Sequence, residues 1–186
     1  MEVAIDPRPR SAIDGSSLTL VRDSQAGDRQ AFERLVLGHL RPALGAAMLI
    51  TGNEPDAADA VQEALLTAWQ RVPQLRDPVT FPAWFRRIVV NQALLIVRRA
   101  RRLPEALPEL DTSSGSVDDQ LDLRNLRRAL DALESRDRAL LTVHYYWQMP
   151  VAETAVMLGL PVGTVKSRVH HATRRLRAAY DAEERR

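Results

Sequence analysis

Between Leu103 and Val117 the chain loses the helical pattern that it carries on either side. Pro104, Pro108, Ser113, Ser114, Gly115 and Ser116 interrupt it, and Glu105, Glu109 and Asp111 make it acidic. A segment of this composition buries little apolar surface, so it reads as an extended, flexible, acidic linker. On both sides apolar residues recur at helical spacing, and no strand-like alternation of useful length is found. The expected fold is therefore all-α: two small helical domains joined by a tether. Residues 1–17, rich in Pro, Arg and Asp, are expected to be a disordered N-terminal extension. The first domain is assigned to 18–102, the linker to 103–120 and the second domain to 121–181.

In the first domain Ala31, Phe32, Leu35, Val36 and Leu40 form one apolar stripe, and Pro42 marks a helix boundary or kink. Asn53 to Asp56 reads as a helix start, with Asp56 and Asp59 suited to the positive end of the helix dipole. Ala58, Val61, Leu65 and Ala68 or Trp69 are the buried stripe expected of that helix. A loop with Pro78 and Pro82 leads into a further helix from Ala83 to about Arg102. Beyond the linker, Leu123, Leu126, Leu130 and Leu133 restore the helical period, and Ser135 is the expected N-cap of the next helix. After the break at Met149-Pro150, a short helix from Val151 to Leu158, a turn at Gly159 and a helix beginning near Pro161 spell a helix-turn-helix.

The 186 residues carry a formal net charge of only +2, but the charge is unevenly placed. Basic residues crowd Arg98 to Arg102 and Lys166 to Arg177, and acidic ones crowd Glu54 to Glu63 and Glu105 to Asp122. This patterning suggests local docking sites more than general adhesion to nucleic acid. The absence of cysteine excludes disulfides, thiolate metal sites and cysteine catalysis within the chain. His39, His144, His170 and His171 do not stand at metal-ligand spacings to carboxylates, and there is no Gly-rich phosphate loop. No enzyme, metal or cofactor is expected. The N-terminus lacks a signal-peptide pattern, and the apolar run from Ile88 to Val97 is too short to span a bilayer. A cytoplasmic protein without direct membrane insertion is expected.

On the second helix of the helix-turn-helix, Val165, Val169, Ala172 and Leu176 mark an inward stripe. Lys166, Ser167, His170 and Arg174 fall opposite. A helix with one dry and one basic, hydroxyl-bearing face can pack on its own domain and enter a major groove. Thr164 and Ser167 suit phosphates or base edges, Lys166 and Arg168 are long cations near the N-terminal end, and His170 and His171 can donate or accept. Taken alone, this helix serves a stand-alone helix-turn-helix transcriptional regulator equally well. In the first domain, Asp59, Gln62, Glu63 and Leu66 share a helix face by one-turn spacing, either as a solvated surface or as an interface. Phe81, Trp84 and Phe85 cluster in a chain with 5% aromatic residues. Helical spacing directs Trp84 and Ile88 toward the core, so packing is the leading reading of these rings.

The run Leu158-Gly159-Leu160-Pro161-Val162-Gly163-Thr164-Val165-Lys166-Ser167-Arg168 resembles the minus-35-reading helix-turn-helix of extracytoplasmic-function (ECF) sigma factors of the sigma-70 family. Asp56-Ala57-Ala58-Asp59-Ala60-Val61-Gln62-Glu63-Ala64 is similar to the family's polymerase-binding helix. Phe81-Pro82-Ala83-Trp84-Phe85-Arg86-Arg87-Ile88 is similar to the start of its promoter-melting helix. Three motifs in the family's order span about Leu18 to Ala179. The resemblance implies a region 2-like domain, a region 4-like domain, and three partners: core RNA polymerase (β′ and β subunits), promoter DNA and an anti-sigma factor. It assigns Asp59, Gln62, Glu63 and Leu66 to core polymerase. It assigns Arg76, Asp77, Thr80, Phe81, Trp84, Arg87, Asn91 and Arg98 to the minus-10 element. To the minus-35 element it assigns Thr164, Lys166, Ser167, Arg168, His170, His171 and Arg174. The acidic linker reads either as a passive tether or as a segment occupying a basic channel of polymerase. Leu95 stands where the family usually has Asp, and His170 and His171 stand where larger basic or aromatic residues are frequent.

Overall fold

The structure is a computed structural model and describes residues 15–100 and 117–185. In order, the helices are α1 (Gly15–Gln25), α2 (Arg29–Thr51), α3 (Glu54–Arg71), α4 (Phe81–Ala100), α5 (Val117–Asp131), α6 (Ser135–Leu141), α7 (Val151–Leu158) and α8 (Val162–Glu184). Among the described residues there is no strand. Helix α1 begins at Gly15, ahead of the expected Leu18, and α5 begins at Val117, inside the segment read as linker. Most of the remaining linker, like most of the N-terminal extension, lies outside the described residues.

Local chemistry sets the helix ends. Asp28 caps α2 by accepting from the backbone N–H of Gln30 at 2.8 Å and of Ala31 at 3.1 Å. Gly52 closes α2 in the left-handed region at φ 88°, its N–H returning to the Met48 carbonyl. Asn53 then starts α3: its side-chain oxygen accepts from Asp56 N–H at 2.8 Å, and its amide donates to the Asp56 carboxylate at 2.8 Å. Helix α2 runs through Pro42 without ending. The missing N–H and ring clash cost about 3 kcal/mol in a helix interior. Burial of Ala43, Ala46, Ala47 and Ile50 just beyond it offsets that cost. Ser135 does not cap α6; it is the buried first helical residue, and Glu134 precedes it without a side-chain cap.

Helices α1 to α4 enclose one apolar core containing Val21, Phe32, Leu35, Ile50, Phe81, Phe85 and Val89. Helix α3 contributes Ala57, Ala60, Val61, Ala64 and Ala68, so the helix is turned one residue from the expected stripe and Ala58 is exposed. Helices α5 to α8 form a smaller bundle with two clusters, Leu133 with Leu141 and Ala172, and Leu140 with Ala155 and Val165. The segment after α6 widens into a π-helical turn, Thr142–Tyr146, and Gln148 follows in the left-handed region at φ 52°. Together they bring Trp147 and Met149 into the apolar core of the first four helices.

Candidate nucleic-acid interface

Helix α7 ends at Gly159 (φ 65°), and the N–H of Leu160 reaches the Ala155 carbonyl at 2.9 Å. Glycine is suited here because the left-handed turn penalises a side chain. Two residues later Pro161 leads into α8 with an extended backbone and leaves the first helical N–H groups pointing outward. Val165 and Ala172 are fully buried, with Val169 and Leu176 half-buried beside them, which is the expected inward stripe. Lys166, Ser167, His170, His171 and Arg174 are exposed, and Thr164 is half-buried. The Ser167 hydroxyl donates to the Thr164 carbonyl at 3.1 Å. The His170 and His171 rings meet edge-on, 5.5 Å apart.

Arg168 is the member of this set that the structure turns inward. Its Nη2 and Nε donate to Asp137 Oδ1 at 2.6 and 3.2 Å. Arg175 donates to the other oxygen, Asp137 Oδ2. Asp137, on the first turn of α6, is 2% exposed. A carboxylate this deep requires paired, charge-assisted donors. Arg168 therefore has a structural task that its place in the motif did not reveal, because its partner lies 31 positions away in sequence. An open groove of about 630 Å³ is lined by Arg168, His171, Arg174, Arg175 and Ala178, a cationic hollow suited to phosphate oxygens.

On the first bundle, Arg87, Asn91, Leu95 and Arg98 lie along α4 at spacings of three and four, and all are exposed. Leu95, the residue in the usual Asp position, thus adds an apolar element between an amide and a cation. Just before α4, Arg76, Asp77 and Thr80 are exposed in the connection from α3. Asp77 shapes it: its carboxylate accepts from Val79 N–H at 3.1 Å, and the Thr80 hydroxyl donates to its carbonyl at 2.7 Å. Gln25 of α1 anchors the same connection by donating to the Leu75 carbonyl at 2.7 Å. Phe81 is fully buried, stacked 6.0 Å from Phe85, and Trp84 is half-buried 5.7 Å from Phe81. Packing is what these rings do here, and Phe81 has no surface to offer a base.

Asp59, Gln62, Glu63 and Leu66 are all exposed on α3, Leu66 at 50%. This acidic face, ending in Leu66, lies on a different helix from the cationic face of α4. Beneath α4, His39 sits 5.7 Å from the Phe81 ring and 6.1 Å from Phe85. Burial, with the Arg86 cation second, pushes its imidazole below the ordinary pKa of 6.5. Among the described residues no group of three or more His, Asp or Glu is placed to hold a metal ion. Among them, too, no helix is long and apolar enough to cross a membrane.

Residues 35–103 match the family of sigma-70 region 2, and residues 123–176 match the family of sigma-70 region 4. The ECF RNA polymerase sigma factor SigM of Mycobacterium tuberculosis is 35% identical over 166 residues, 87% of this chain and 83% of that protein. This chain belongs to the ECF group of sigma factors. Its solved likenesses agree in fold. The structure of CnrH in complex with the cytosolic domain of CnrY has a TM-score of 0.68 at 27% identity, covering 90% of this chain and 98% of that one. The sigma factor RpoE of Bartonella quintana, in complex with the anti-sigma factor NepR, has a TM-score of 0.67 at 24% identity, covering 81% and 96%. The protein is thus an RNA polymerase sigma factor, a DNA-binding transcription-initiation protein with a helix-turn-helix.

Proposed function

We propose that this sigma factor docks core RNA polymerase through Asp59, Gln62, Glu63 and Leu66 of α3. Carboxylates and an amide form charge-assisted bonds with an arginine-rich partner, and Leu66 supplies apolar area beside them. The exposed face of α8, formed by Lys166, Ser167, His170, His171 and Arg174, enters the major groove of the minus-35 element. Thr164 adds a hydroxyl at its N-terminal end. Arg168 serves that contact by fixing α8 through Asp137. Arg87, Asn91 and Arg98 of α4, with Arg76, Asp77 and Thr80, handle the minus-10 element. Trp84 borders that face, and Phe81 supports it from the core.

The observation that carries this reading is the separation of three exposed faces of distinct chemistry, acidic on α3 and cationic on α4 and α8. In this reading the functional domains are 18–102 and 121–181, on a tether that lets both reach DNA once polymerase holds them. The reaction belongs to polymerase and this chain contributes no catalysis of its own. Its place of action is the cytoplasm, where polymerase works. We further propose an anti-sigma partner, supported by the family resemblance and by the capture of CnrH with a second protein.

Run-off transcription with purified core polymerase tests the assignment. Lys166→Ala should weaken promoter use and lower the salt slope by about one. Asp59→Ala should weaken polymerase binding at unchanged DNA contacts. Parent-like transcription by both variants rejects the site assignment. Tight, specific binding of promoter duplex by the chain without polymerase would instead favour a stand-alone regulator.

A further inference from the structure

Within the cationic row of α4 one side chain has no polar chemistry. Leu95 is 37% exposed, one turn beyond Asn91 and one turn short of Arg98. Its neighbours Leu94 and Ile96 pack against the first core, and Ala93 and Val97 are buried, so Leu95 is not needed to close that core. A lone exposed leucine is ordinary on a protein surface, but this one interrupts a row of groups that suit DNA. Gln92 donates to Thr67 of α3 at 3.1 Å and so fixes the roll of α4. Arg87, Asn91 and Arg98, by contrast, are engaged by no other side chain among the described residues. Residues 87 and 98 stand about 16 Å apart along the axis at about 1.5 Å per residue. That exceeds the width of a major groove, about 12 Å, by little more than the room its bordering phosphates need. With a cation over the backbone on each side, the exposed side chains between them lie over base edges, and these are Asn91 and Leu95.

The two side chains fit adjacent features of DNA. An asparagine amide pairs with N6 and N7 of adenine, and the apolar feature of the major groove is the thymine 5-methyl group. Cβ atoms one helical turn apart are about 6 Å from each other, which spans base pairs stacked about 3.4 Å apart. We propose, on the assignment of α4 to the minus-10 element made above, that Leu95 is a specificity-determining residue of that contact. It covers the 5-methyl group of a thymine beside the base pair that Asn91 addresses. Arg87 and Arg98 position the helix on phosphates without reading sequence. Leu95 adds discrimination, because cytosine offers no methyl group at that edge and presents an amine that a leucine cannot pair.

Uracil keeps every hydrogen-bonding edge of thymine and lacks only the methyl group. Run-off transcription with core polymerase and the full chain is therefore measured on promoter duplexes in which one minus-10 thymine at a time is replaced by uracil. The parent should lose about fourfold at one position, the worth of a single methyl group taken from water. Leu95→Asn should transcribe that pair of duplexes alike, and Leu95→Met should keep the parent's preference. Core-polymerase binding should be the same in the parent and both variants, which also reports that they fold. A parent indifferent to uracil at every position overturns the inference, and so does a preference that survives in Leu95→Asn. Weaker polymerase binding by Leu95→Asn, with the preference intact, overturns it in favour of a polymerase contact. Arg87→Ala and Asn91→Ala should each lower transcription of the thymine duplex by about tenfold. If both stay parent-like, the assignment of α4 to the minus-10 element fails and takes this role with it. If both are impaired while uracil has no effect, the assignment stands and only the role of Leu95 falls.

Discussion

The first bundle buries Phe32, Phe81, Phe85 and Ile50 in a single apolar core, whereas the second keeps two small clusters of its own, lends Ala139, Val143, Trp147, Met149 and Met157 to that core, and sets Asp137 and Arg138 among its buried groups. Asp137 holds α8 through Arg168 and Arg175, and Arg138 pairs with Asp131 at 2.7 Å. Apolar burial is non-directional and scales with area. Ion pairs are directional, and their loss changes geometry as well as stability. The first bundle is built to be a firm platform, and the second to hold one helix in a defined orientation.

Core truncation gives the largest contrast. Phe85→Ala should lower the stability of the first bundle by about 3–5 kcal/mol, read from urea unfolding with tryptophan fluorescence. A loss below about 1 kcal/mol would show that the platform is not built on this core. Asp137→Ala comes next. It removes charge-assisted bonds to two arginines and should cost about 2 kcal/mol, with unfolding confined at first to the second bundle. It should also blunt promoter discrimination more than total DNA affinity, since it adds exposed cations while loosening α8. Unchanged discrimination would separate the ion pairs from the aim of the helix.

The smallest effect is acidification. His39 holds its proton less tightly folded than unfolded, because of burial first and Arg86 second. Unfolding therefore takes up a proton as pH falls through the ordinary value of 6.5. Stability is level above that value and declines below it, down to the depressed folded value. In His39→Gln this contribution to the slope should vanish. Identical dependence of stability on pH between 7 and 5 in the parent and in His39→Gln would contradict the weakened proton affinity of this ring.

The helix-turn-helix was legible because its signals are local: a glycine turn, a proline start and an apolar stripe within one short run. The exposed acidic face of α3 and the packed aromatics of α4 were also readable from spacing. The phase of α3 was not, since alanines at 57, 58, 60, 64 and 68 satisfy two neighbouring stripes almost equally. Pro42 suggested a boundary or a kink in α2, and the helix continues through it because tertiary burial offsets the cost. The ties of Arg168 and Arg175 depend on a carboxylate more than thirty positions away, which no window of local periodicity contains.

Asp137 also bears on specificity. Its two oxygens engage residues 168 and 175, two turns apart on α8, so the helix is moored at two points along its length. Such a mooring resists roll about the long axis and tilt of either end. In the proposed minus-35 contact, a carboxylate buried away from DNA would thereby set which atoms of a base pair the neighbouring residues can address.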